Sequence, residues 1–228
     1  MEIDKDKVYD KAYSCSSHIQ ATGFTQLMIC VLNNDLENAS SYIGDINSKN
    51  SIEWTALHIA CRNSKTFSSE EMVSFLLEKG ADPNAKNNND NTPLHLAAGY
   101  SNEDSSLETV YLLLKNGADP NAKAWNNYTP LHFASRYSNE LSSLATVKLL
   151  IRSGADPNAK DIYDWTSLHW ASISSMSSLA TVKLLLQYNA TPIDKLTHIL
   201  KLEIDIESFV EANEKLKMMI ESLESEED

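Results

Sequence analysis

Four histidines recur at one interval. His58, His95, His132 and His169 stand 37 residues apart, and evenly spaced imidazoles are the first candidates for metal or acid–base chemistry. A zinc centre needs its ligands to converge within a few ångströms of one ion. Equivalent residues on successive copies of a unit stand a whole unit apart, so these four do not converge and read as scaffold. His18 and His198 lie outside the periodic set, without a companion at ligand spacing. The three cysteines, Cys15, Cys30 and Cys61, are odd in number and carry no C-x-x-C spacing, which fits a reducing cytoplasmic or nuclear setting. The sequence contains no Gly-rich phosphate loop, nucleophile elbow or H-E-x-x-H. No catalytic, cofactor-binding or metal residue is therefore assigned, and a non-enzyme is expected.

What surrounds each histidine explains the interval. The phrases "TALH", "TPLH", "TPLH" and "TSLH" begin at Thr55, Thr92, Thr129 and Thr166, and "GADPNAK" keeps step from Gly80, Gly117 and Gly154. A last, decayed copy, "NATP", begins at Asn189. All six prolines fall in these two phrases. Thr92 and Thr129 are good N-caps, and Pro93 and Pro130 take the first helical position, where the missing N–H removes no helical bond. Runs such as "SSLETVYLLL" and "SSLATVKLLI" open a second helix, and Ser68 with Glu71 and Ser105 with Glu108 have capping-box spacing. The glycine of the second phrase ends that helix in a left-handed turn, and the proline three residues on stops it from continuing. Each copy is thus a helix–loop–helix–turn unit. It cannot bury its apolar face alone, so copies must stack.

Two phrases recurring in fixed phase resemble the ankyrin repeat. The resemblance implies an all-α ankyrin-repeat solenoid of stacked helical units with β-turn fingers. An N-terminal segment, 1–23, precedes an array over 24–192. The array has a degenerate copy at 24–48, with Met28 where the histidine belongs, and clear repeats from about 49, 86, 123 and 160. An acidic capping helix and tail, 193–228, follows. Three middle repeats exceed the usual ~33 residues, with the surplus between the helices in "SKTFSS", "SNEDSS" and "SNELSS", expected to be solvated insertions. The usual fingertip glycine is replaced by Glu53, Asp90, Asn127 and Asp164. Asn and Asp tolerate a left-handed backbone. Glu53 fits less well, and its turn is where a difference is expected.

In the resembled family the fingertips and first helices bind partner proteins through a concave surface. Carried over by phase, that surface takes Trp54, Arg62, Tyr100, Trp125, Tyr128, Arg136, Tyr137, Ile162, Tyr163 and Trp165. Trp, Tyr and Arg are enriched at binding hot spots, and three of the four tryptophans fall on fingertips. Trp54 and Trp165, beside the cap threonines, have packing against a neighbouring finger as an alternative, as have Trp125 and Tyr137 further out. Arg62 and Arg136 are the candidates to meet carboxylates of a partner.

Charge narrows the partner. From Glu203 to Asp228 ten carboxylates face two lysines, so −8 of the net −13 sits in the tail. That opposes binding to nucleic-acid phosphates and to anionic membrane surfaces, and no apolar run approaches the ~18 residues of a membrane helix. The partner expected is another protein, without nucleic acid, membrane or cofactor, and the chain is expected to be a monomer. The alternative is an adaptor or host-directed effector whose C-terminal helix, with Phe209, Leu216 and Met219 at helical spacing, recruits a second protein. Secretion into a host cell stays open.

Overall fold

The structure is a computed structural model describing residues 22–188 except 103, 139–141 and 174–178. Residues 1–21 of the expected N-terminal segment 1–23, and all of the expected acidic helix and tail 193–228, lie outside the described residues. Among the described residues ten α-helices and one 3₁₀ turn occur, and no strand.

The helices come in pairs. α1 (Gln26–Leu32) and α2 (Leu36–Ser40) form the degenerate unit. α3 (Ala56–Arg62) with α4 (Glu70–Glu78), α5 (Pro93–Tyr100) with α6 (Leu107–Lys115), and α7 (Pro130–Arg136) with α8 (Leu144–Arg152) form the first three clear units. α9 (Ser167–Ile173) and α10 (Leu179–Gln187) form the fourth. First helices pack on first helices, and from α4 onward second helices on second helices, giving two layers. Between the layers runs one continuous core. The leucine of each first phrase, Leu57, Leu94, Leu131 and Leu168, is wholly buried there, each stabilising by roughly 2 kcal/mol. Gly80, Gly117 and Gly154 have φ of +87°, +88° and +93°, the left-handed helix end expected of them.

The second helices start one residue later than the capping-box spacing implies. Ser69, Ser106 and Ser143 are the N-caps, accepting from the amides of Met72, Thr109 and Thr146. Ser68, Ser105 and Ser142 are buried instead. Ser105 Oγ lies 3.4 Å from Ser64 Oγ, and Ser142 Oγ 3.2 Å from Ser101 Oγ. Thr109 donates to Ser64 at 2.7 Å, Thr146 meets Ser101 at 2.6 Å and Thr181 donates to Ser138 at 2.7 Å. The inter-helix insertions are therefore more than solvated loops: their serines form a buried hydroxyl seam between units. Each buried hydroxyl in this seam needs such a partner to offset the loss of water; Ser105 and Ser142 have one, whereas Ser68 Oγ is buried without one among the described residues.

Candidate partner-binding face

The histidines hold the face rather than act in it. The Nδ1 atoms of His58, His95 and His132 each accept from the amide of their cap threonine at 3.1 Å. That leaves the ring proton on Nε2, which donates to a carbonyl of the next unit: Asn91 at 3.0 Å, Tyr128 at 3.0 Å and Trp165 at 3.1 Å. The three acceptors sit in the fingers, so each ring ties a first helix to the following fingertip. Both ring nitrogens are occupied, and burial lowers the pKa of all three rings, and of His169, to about 4.

Three of the four fingers are built alike. Asn50, Asn87 and Asp161 occupy equivalent positions, and each Oδ1 accepts from the amides two and four residues on, at 2.8–3.1 Å. Glu53, Asp90 and Asp164 then take φ of 60°, 56° and 61°. Glu53 thus adopts the same turn as its siblings, against the expectation of a difference there. The third finger is the one that differs. Its equivalent residue is Ala124, which has no side-chain acceptor. The chain winds instead into a 3₁₀ turn over Trp125–Asn127, with Asn126 and Asn127 both at φ 59°. Successive fingers are still joined edge to edge, Trp125 N–H donating to Asn89 and Ile162 N–H to Asn126, at 2.9 and 3.0 Å.

On this frame the candidate residues separate. Trp125 is 67% exposed. Ile162 is 48% exposed, and Arg136 is exposed as well. Tyr137 and Tyr163 are half-buried. Arg62 is buried, ion-paired to Asp104 in the next unit and stacked over Tyr100 with its guanidinium carbon 3.5 Å from the ring centre. Its charge is used within the chain. Trp165 is buried, and Trp54 is half-buried against the core, the packed alternative for both.

Tyr128, Arg136 and Tyr137 converge with residues that sequence reasoning passed over. Together with His132, Phe133 and Trp170 they line a hollow of about 50 Å³ between the third and fourth units. Tyr128 meets Trp170 edge-on at 5.5 Å and Phe133 at 6.2 Å. Trp170 donates from Nε1 to Asp161 Oδ2 at 2.9 Å, a buried carboxylate whose pKa desolvation raises. Burial, followed by the Asp161 charge, pushes Tyr128 up to about 12, so its phenol stays protonated. Arg136 lies over the Trp170 ring at 4.6 Å and near Tyr137 at 5.4 Å. Phe133 and Trp170 follow Ile59 and Leu96 at the position after the histidine. Ile59 and Leu96 are buried, whereas the larger rings of the later units are half-exposed. Growth in size along one repeat position was the available signal. Gly99 leaves room for Phe133: a Cβ there would stand 3.2 Å from the ring.

No group of three or more metal-ligating side chains occurs among the described residues, and none of their helices is long and apolar enough to cross a membrane. A family model for ankyrin repeats (3 copies) matches residues 27–124 and 101–195. A protein of Acanthamoeba polyphaga mimivirus named as an ankyrin repeat protein is 40% identical over 83 residues, 32% of this chain and 9% of that protein. The chain therefore spans a small part of that relative. The repeated caps, the two-layer stack and the family match agree: the chain belongs to the ankyrin repeat family.

Proposed function

We propose that this chain is a non-catalytic module that binds another protein through the fingers and first helices of its third and fourth clear units. Ankyrin repeats are generally protein–protein interaction modules, and the local anchors supporting the reading here are Trp125, Tyr128, Arg136, Tyr137, Ile162 and Trp170. The observation that carries it is Trp125, 67% exposed on a finger whose sequence departs from its siblings. Exposed aromatic area on a unit that also walls an aromatic hollow is the pattern of a binding hot spot. Arg62 and Trp165 contribute from below, by holding Tyr100 and Trp170 in place: Trp165 and Trp170 lie 5.1 Å apart.

The double variant Trp125→Ala, Tyr137→Ala is expected to abolish capture of a partner from lysate while the far-UV circular dichroism and melting stay native. Undiminished capture by a folded double variant would place the contact elsewhere.

A further inference from the structure

Comparison of the units with one another carries the proposed binding reading one step further, to the chemistry of the partner. At the base of each finger stands a lysine: Lys49, Lys86, Lys123 and Lys160. Three are neutralised four residues on, by Glu53 at 3.0 Å, Asp90 at 3.4 Å and Asp164 at 3.6 Å. In the third finger that position is Asn127, and Lys123 has no carboxylate in ion-pair reach among the described residues. The same unit repeats the pattern on its first helix. Arg62 is paired with Asp104, 42 residues on. Arg136 occupies the equivalent position two units later, stacks on Trp170 and Tyr137, and contacts no carboxylate among the described residues. Forty-two residues beyond it stands Ser178, not an acid. In an acidic chain, one unit carries two cations without a carboxylate partner among the described residues, an exposed tryptophan and one wall of an aromatic hollow.

We propose that the third unit binds an acidic segment of a partner protein: one apolar side chain sits in the Tyr128–Phe133–Trp170 hollow, and flanking Asp or Glu side chains meet Arg136 and Lys123. The proposal rests on the protein-binding reading above and adds its charge. Net charge of −13 does not oppose it at contact, because exposed charges more than ~8 Å apart are largely screened at physiological salt while a partly buried contacting pair is screened much less. A guanidinium stacked on aromatic rings is already partly desolvated and held in one orientation, which favours a charge-assisted hydrogen bond to a carboxylate.

The test selects twelve-residue random peptides displayed on phage against the full chain, then measures the enriched peptides in solution by fluorescence anisotropy. Enriched peptides are expected to place Asp or Glu within two positions of an apolar residue. Arg136→Glu is expected to weaken them about tenfold or more, as charge reversal at a contacting pair does. Asn127→Asp, which gives Lys123 a carboxylate four residues on, at the φ its siblings' acids take, is expected to weaken them about two- to fivefold. Both positions are solvent-facing, and circular dichroism checks that the variants fold. Basic or uncharged peptides that still depend on Trp125 would overturn the acidic assignment and leave the binding face standing. Peptides indifferent to Trp125→Ala and Arg136→Glu alike, or no enrichment at all, would overturn both. A synthetic peptide of residues 203–228 is the remaining arm. Its binding at Arg136 more tightly than any selected peptide would assign the surface to this chain's own tail and overturn the partner.

Discussion

A buried imidazole that accepts through Nδ1 and donates through Nε2 serves the fold only while it is neutral. His58, His95 and His132 are held that way, and His169 shares their burial. Their pKa values near 4 lie below the ~6.5 of an unfolded histidine, a gap of about 3 kcal/mol for each ring. Between these limits the unfolded chain binds more protons, so stability is complete above pH ~6.5 and falls as pH drops toward 4. Asp161, whose carboxyl is raised by burial, acts in the opposite sense but is one group against four. Urea midpoints are expected to decline steeply from pH 7 to pH 5, and a flat profile would contradict the histidine seam. At this scale the scaffold was legible, because identical residues at one interval have one job. The difference between Arg62 and Arg136 was not. Both look like free cations until the fold brings Asp104 from the neighbouring unit onto the first of them. Trp170 was passed over because it follows a scaffold histidine, where an apolar helix residue is the ordinary occupant.

Helix starts and finger turns were legible in kind but not in detail. With two adjacent serines before each second helix, sequence spacing favours the first as cap in two units, through Glu71 after Ser68 and Glu108 after Ser105. The structure uses the second; in the second and third clear units the first, Ser105 or Ser142, faces the preceding unit and joins the hydroxyl seam. The third finger was invisible for a different reason: its cause is a missing acceptor at Ala124, and absence leaves no motif. Ala124→Asn is expected to return the two Asx hydrogen bonds, move Asn126 out of its left-handed conformation and stabilise by about 1 kcal/mol. Amide and Cα chemical shifts of residues 124–128 would report the change. Shifts that stay put would mean that the turn follows from Asn126 and Asn127 themselves.

The array as a whole is a sum of interfaces between neighbours, and its last surface is where a cap matters. Each of the first three histidines donates to the finger of the unit ahead, but His169 Nε2 is buried with no acceptor among the described residues. The downstream acidic segment, 193–228, expected from the sequence to be a cap, lies outside the described residues. Deleting residues 193–228 is expected to lower the melting temperature by several degrees and expose the α9–α10 face to a hydrophobic dye. An unchanged melt would mean that the fourth unit ends the array unaided.

Asn47, Asn84 and Asn121 link the turns of adjacent units. Each donates to the carbonyl of the next unit's glycine, Gly80, Gly117 or Gly154, at 3.3, 2.9 and 2.8 Å. Each also accepts from the amide of Asp82, Asp119 or Asp156 at 2.7–2.8 Å. The offsets, 33 and 35 residues, are the same at every step. Such a seam cannot distinguish one neighbour from another: Asn84 would bond Gly154 as well as it bonds Gly117 if residues 86–122 were excised. In recombination, then, whole units can be gained or lost without a new bonding partner having to evolve at the junction. What a lineage cannot shuffle freely is the third unit, whose departures from the common pattern only make sense together.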